Sequence, residues 1–432
     1  MTRRFPFAPL AFVAAVVVAA AATAAPAFVP RAHGDHPTAA EMSDLGRVLF
    51  ADARLSASGT MSCATCHDPA AAFGPGPHAA SPFADGVPAH AGTRAIPSLR
   101  YLQYGQRFTE HRVEGDENAR DGLDGGPSGG LTWDGRVDTV HEQARIPLFA
   151  PHEMANESAR ALADRLRAAP EGPAFRRAFS AAGRDVFDDP EAVVGWIGAA
   201  LEAYQQDGHD FLPFSSRYDQ VLRGRATLSP AEARGLAIFV DPAKGNCASC
   251  HDAARANNGA FPLFTDGGLV SLGVPRSVAR EPSANAPGGG APAVPTVDAG
   301  IDLDSAHDLG LCTSGRQPLA ADPSYCGRFR TPTLRNVALR PSFFHNGAVT
   351  SLRDAVAFYA TRDTDPARWY GRDAAGRVRP YDDLPSAYVA YVEKGAPFEP
   401  AADGRPRLSE RDIDDVVAFL RTLTDVDARS SR

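Results

Sequence analysis

The sequence predicts a mainly α-helical fold built from two related units. Three observations carry this. A local pattern that closes a helix occurs twice, as Gly46-Arg-Val-Leu-Phe50-Ala-Asp52 and Gly235-Leu-Ala-Ile-Phe239-Val-Asp241. Each copy is followed by a cysteine pair with a histidine, Cys63-Ala-Thr-Cys66-His67 and Cys247-Ala-Ser-Cys250-His251. No apolar/polar alternation is sustained over several segments, so any strands should be short. The 432 residues hold two such units comfortably, given about 150 residues for a usual domain.

The first element is a targeting signal. Arg3 and Arg4 precede an uncharged run from Leu10 to Ala22, which ends in the small residues Ala22-Thr23-Ala24-Ala25. A basic start, an apolar stretch of about 7–15 residues and an A-x-A site mark a secretory signal peptide, residues 1–24. A membrane anchor needs about 20 apolar residues, and Pro6 and Pro9 shorten the run too far. The mature chain is therefore expected in the periplasm, with no membrane span and with disulfides permitted. Residues 25–38 read as an N-terminal linker.

Two helical domains follow, 39–215 and 216–432. Thr38-Ala-Ala-Glu41 and Ser229-Pro-Ala-Glu232 are capping boxes, in which hydroxyl and carboxylate satisfy orphan N–H groups; Pro230 suits a first helical position. Gly115–Gly130 and the Pro/Gly/Ala-rich stretch Glu281–Gly300 read as loops.

Composition narrows the function. Lys and Arg number 44 against 52 Asp and Glu, and a net charge of −8 offers nucleic acid no footprint. Charged residues at 22% with 44% hydrophobic residues exclude a disordered chain. Six cysteines are too few for a disulfide scaffold of this length.

C-x-x-C-H is the attachment signature of c-type haem. Two thiols at that spacing form thioethers to the haem vinyl groups, and the adjacent imidazole becomes the proximal iron ligand. A four-cysteine zinc site would leave both trailing histidines unexplained, and redox dithiols would want a βαβ setting that is absent. Two covalently bound haems c are expected, on cytochrome c-like helical domains. The other two cysteines, Cys312 and Cys326, are expected to pair in an oxidising compartment, with two free structural thiols as the alternative.

The four methionines are Met1, Met42, Met61 and Met154. Unless one of them reaches across, the second haem lacks His/Met ligation, and its other axial position goes to Tyr, His, Lys or water. The second half supplies His209, His307, His345, Lys244, Lys394 and several tyrosines.

Further motifs carry a resemblance. Leu131-Thr-Trp133-Asp-Gly-Arg136, His141-Glu-Gln143-Ala, Pro147…Glu153-Met154, Thr331-Pro-Thr-Leu-Arg-Asn-Val337 and Phe343-Phe-His345-Asn-Gly347 stand in order along the chain. With the two C-x-x-C-H motifs they resemble the bacterial dihaem cytochrome c peroxidases, from about Leu45 to Thr424. In that family the second haem's distal ligand lies fourteen residues beyond the F-H-x-G histidine, which is Tyr359 here. Ordinary members place Met there and the MauG-like branch Tyr, so the chain resembles that branch. Periodicity alone reads Tyr359 otherwise: Leu352, Val356 and Tyr359 would share one buried helix face. A phenolate ligand would favour ferric and higher oxidation states.

The resemblance implies an enzyme that reduces hydrogen peroxide at the first haem. Glu153 would be the carboxylate that moves the proton, Gln143 its hydrogen-bonding neighbour, and Trp133 the conduit between haems. The oxidising equivalents would be shared with the second haem in a high-valent bis-ferryl state and spent on a protein partner or electron donor. The alternatives are an ordinary peroxidase fed by a small cytochrome c or cupredoxin, and a non-enzymatic dihaem carrier or sensor.

Two departures from the family pattern stand out. The family's blocking histidine precedes an Arg-Asn-x-Pro motif; in His90-Ala-Gly-Thr-Arg94-Ala-Ile-Pro97 the spacing is shorter, so an open first haem is expected, with His90 or His78 as candidate blockers. The motif's Asn, which serves a calcium ion between the haems, is Ala95 here. Calcium, which wants six to eight oxygens, would keep only the carbonyls of Arg340 and Ser342.

Overall fold

The computed structural model describes residues 37–76, 94–110, 125–181, 183–277, 301–302, 307–317, 319–373 and 375–426. The expected signal peptide (residues 1–24), His78, His90 and the stretch 281–300 lie outside the described residues, as do 25–36 of the expected linker and 115–124 of the first expected loop.

Both expected capping boxes form. Helix α1 (Ala39–Ala51) starts where the Glu41 amide donates to Thr38 Oγ1 (3.3 Å) and the Thr38 amide to Glu41 Oε2 (2.8 Å). After the one-turn α2 (Cys63–Cys66) come α3 (Val140–Phe149), α4 (Ala159–Ala168), α5 (Gly172–Phe179) and α6 (Pro190–Gln205). The short α7 (Arg217–Leu222) leads to α8 (Pro230–Val240), where Ser229 and Glu232 repeat the box. Helices α9 (Leu352–Thr361) and α10 (Glu410–Arg421) complete the set.

The repeated glycines explain the repeated pattern. A Cβ at Gly46 would lie 1.9 Å from the Ala200 carbonyl oxygen on α6, and one at Gly235 1.9 Å from that of Asp415 on α10. The next neighbours are also equivalent, the Cβ atoms of Tyr204 and Phe419, each one turn further on. Each pattern therefore marks a helix crossing with backbone in contact, which any side chain would force apart.

Around these crossings lie two apolar clusters. Buried members of one fall between Leu45 and Phe211, and of the other between Tyr218 and Leu423. In the first, Phe50, Phe73, Tyr204 and Phe211 meet mostly edge to face. In the second, Tyr218, Phe239 and Phe264 surround Phe419. Asp425, wholly buried, ties the two together, accepting from Tyr101 Oη, Arg100 Nη1, Asn336 Nδ2 and the Ser215 amide.

Strands are as short as the missing alternation implies. Among the described residues, β1 (Leu269–Val270) pairs antiparallel with β4 (Phe329–Arg330), and β2 (Ile301–Asp302) with β3 (His307–Asp308). Cys312 and Cys326 form the expected disulfide, in a third cluster with Leu311, Leu319 and Tyr325. No helix among the described residues is long and apolar enough to cross a membrane.

Gly235→Ala should destabilise the protein by about 1–3 kcal/mol, because the α8–α10 crossing must open. Gly195→Ala, at an open position of α6, should be neutral or stabilising, by up to about 1 kcal/mol. Denaturant midpoints of the two variants check this; equal midpoints would remove the crossing argument.

Candidate active site

The first cavity encloses about 220 Å³, and its walls include Cys63, Cys66, His67, Trp133, Gln143 and Glu153. One helical turn carries both cysteines, and His67 follows directly. Its Nδ1 lies 3.2 Å from the Phe73 carbonyl oxygen, which fixes the tautomer with hydrogen on Nδ1 and leaves the Nε2 lone pair for a metal. Burial pulls the imidazole down to about 4, outweighing the carbonyl bonds, so it stays neutral. Burial likewise pushes Cys63 up to about 12 and Cys66 to about 11.

The distal wall is built by the end of α3. Pro147 lies inside this helix, one turn beyond Gln143, and cannot donate back to its carbonyl. The helix stops at Phe149 and the chain folds back: Met154 N donates to Pro147 O (3.0 Å) and Asn156 N to Leu148 O (3.1 Å). Asn156 Nδ2 locks the turn by donating to Leu55 O and Leu148 O, both at 2.8 Å. Glu153, inside the turn, thereby faces the same cavity as Gln143 on the helix.

The second cavity is larger, about 470 Å³, with Cys247, Cys250, His251, Trp133, His345 and Tyr359 in its walls. His251 Nδ1 lies 2.8 Å from Phe264 O, repeating the first site's arrangement, and burial again lowers its pKa. The four free thiols are thus divided between two cavities, and no cluster of metal-ligating side chains forms among the described residues. That disposes of the four-cysteine zinc alternative.

Tyr359 enters the second cavity from α9, its ring stacked on Phe398 at 5.2 Å. Burial raises its pKa, and Arg362 opposes the rise. Met61 and Met154 line the first cavity, and no methionine lines the second. Three of the competing donors have other partners. His209 pairs with Asp210 at the surface and Lys244 with Asp412. His345 lines the cavity but lies flat on Phe329, 3.5 Å between ring centroids, with Nε2 3.5 Å from Asp383 Oδ2.

Trp133 belongs to both cavities. Its Nε1 donates to the Ala95 carbonyl (2.7 Å), and the preceding Thr132 takes a positive φ of 69°. Arg94 bridges Asp134 (2.8 Å) and Asp308 (2.7 Å), while Arg136 also binds Asp134. Burial pushes the Asp134 carboxyl up, but the two guanidiniums win and hold it well below the usual carboxylate range. The Ser342 carbonyl, expected to serve calcium, accepts from Arg340 Nε at 3.3 Å.

Sequence reasoning missed Arg330, Arg340 and His152 as wall residues. Arg330 directly precedes the Thr331-Pro motif, so its neighbourhood was visible although its role was not.

Two enclosed sites, each with a thiol pair and a carbonyl-oriented imidazole, and one indole between them define a two-haem redox protein. Comparison with known proteins agrees. A family model described as di-haem cytochrome c peroxidase matches residues 40–227. The methylamine utilization protein MauG of Paracoccus denitrificans is 35% identical over 440 residues, covering 98% of this chain and 96% of that protein. The crystal structure of the diheme peroxidase BthA from Burkholderia thailandensis matches at 40% identity with a TM-score of 0.74, over 93% of this chain and 88% of that one. A MauG-like protein associated with microbial copper homeostasis matches at 26% identity and a TM-score of 0.58, over 92% and 93%. The chain belongs to the di-haem cytochrome c peroxidase family, on its MauG-like side. It is a haem peroxidase with two haem cofactors, acting on peroxide with a redox partner.

Asp134→Asn should cost about 3–5 kcal/mol at neutral pH by breaking a buried ion network. A carboxylate held below its unfolded pKa of about 3.9 contributes fully above that pH and loses the contribution as pH falls toward the folded value. The gap between wild type and variant should therefore narrow below about pH 4 in denaturation measured across pH; a gap constant down to about pH 2 would contradict it.

Proposed function

We propose that the protein is an exported, MauG-like dihaem peroxidase with unlike roles for its two sites. The carrying observation is that Glu153 and Gln143 meet in the cavity of Cys63, Cys66 and His67, while Tyr359 and no methionine faces His251. Cys63 and Cys66 would hold the peroxidatic haem through thioethers, with His67 as iron ligand; Cys247, Cys250 and His251 would hold the other, with Tyr359 as a further ligand. When bound, the haems supply an iron that reduces peroxide and a second iron that stores an oxidising equivalent.

Converting hydrogen peroxide to two waters takes two electrons and two protons. Glu153 moves a proton from the nearer peroxide oxygen to the departing one, a task suited to a carboxylate in an enclosed pocket. Gln143 orients peroxide without competing for the proton. Trp133, in contact with both cavities, carries the electron between them. The electrons come from a protein partner or a small donor. In this reading residues 1–24 direct the chain to the periplasm, 39–215 form the peroxidatic domain and 216–432 the electron-transfer domain. Calcium between the haems finds less support, since a guanidinium already donates to the Ser342 carbonyl.

Peroxide added to the diferric protein, without prior reduction, should change the visible and near-infrared absorption of both haems. A response only after partial reduction would favour the ordinary peroxidase, and none at all the carrier. Glu153→Gln should slow peroxide consumption by about 100- to 10,000-fold with both haems retained; normal kinetics would remove Glu153 from the reaction. Tyr359→Phe should alter one haem's low-spin ferric electron paramagnetic resonance signal, and an unchanged spectrum would leave Tyr359 as packing.

A further inference from the structure

Several arginines set into the fold are matched to carboxylates. Arg94 meets Asp134 and Asp308, Arg100 meets Asp425, Arg335 meets Asp219 and Arg362 meets Asp363. Arg330 and Arg340, which line the cavities, have no such match. Arg330, on β4, lines both cavities, and its backbone amide donates to the Trp133 carbonyl at 2.7 Å. Among the described residues its guanidinium has no ion-pair or hydrogen-bond partner, and burial alone lowers its pKa to about 10. Arg340 lines the second cavity and not the first. It makes only long contacts to the carbonyls of Ser342 (3.3 Å) and Ile96 (3.4 Å) and lies 5.9 Å from the Trp133 ring. Burial lowers it to about 10 as well.

A partly buried cation facing a cavity without an anion is a cost to the fold, and carbonyl dipoles offset little of it. Two of them lining one cavity point to anions that arrive with the cofactors. Haem brings two carboxylates per ring, and guanidinium is the side chain best shaped to grip them.

We propose that Arg330 and Arg340 are the counter-ions of the haem propionates, with Arg330 serving both haems and Arg340 the second. Haem binding then discharges an electrostatic cost built into the folded polypeptide. The pair also sets the potentials: a fixed positive charge beside a haem disfavours its ferric form, so losing that charge lowers the midpoint. Trp133 lies in the same field. This inference rests on the two-haem family assignment and is independent of the roles of Tyr359 and Glu153.

The test uses the full-length holoprotein, with haem per chain counted and both midpoint potentials read by spectroelectrochemistry. Arg330→Met should lower both midpoints, Arg340→Met that of the second haem alone, and Arg330→Lys and Arg340→Lys should recover most of each shift. Full haem content with both midpoints unmoved in the Met variants would overturn the proposal. If a Met variant fails to load haem, a Lys variant that loads supports it, and equal failure of Met and Lys overturns it. Peroxide turnover enters none of these readings.

Discussion

Trp133 is held from three directions, and the relation between the two sites depends on that grip. Its indole donates to the Ala95 carbonyl, the adjacent Asp134 is clamped by Arg94 and Arg136, and its own carbonyl accepts from Arg330 on β4. Arg94 also reaches Asp308, so segments far apart in sequence converge on one aromatic ring. A side chain immobilised this way keeps a constant distance to both cavities. Removing either partner of such a buried pair would leave the other charged and unmatched.

The two cavities share one construction on their cysteine side and diverge opposite it. In both, the histidine nitrogen not needed by a metal donates to a phenylalanine carbonyl, Phe73 in one and Phe264 in the other. That bond selects the tautomer and the ring orientation together. The opposite walls come from unrelated pieces, a proline-broken helix end carrying Glu153 and an intact helix carrying Tyr359. The repeat is therefore confined to the cysteine side, and the opposite walls differ in their residues.

Much of the fold was legible because its signals are local. Capping boxes, the C-x-x-C-H spacing and the Gly-x-x-x-Phe pattern act within a few residues, where geometry follows directly from residue type. The Cys312–Cys326 pair was readable for the same reason, its partners being close in the chain. Tyr359 was a different case: periodicity favoured a core residue, and only the resemblance moved it into the haem site. In the structure its ring stacks on Phe398 and forms part of the second cavity's wall.

The sequence by itself determined that the chain is mainly helical, carries two haem-binding units and lacks a methionine in its second half, since each of these is a statement about composition or short spacing. Tertiary structure alone decided which residues share a cavity. The gathering of Arg330, Arg340, Asp308 and Trp133 at one wall joins segments far apart in the chain, and His345 meets Phe329 and Asp383 across separate elements. Burial sets the energetics there, and burial is a property of the packed chain that no local pattern encodes.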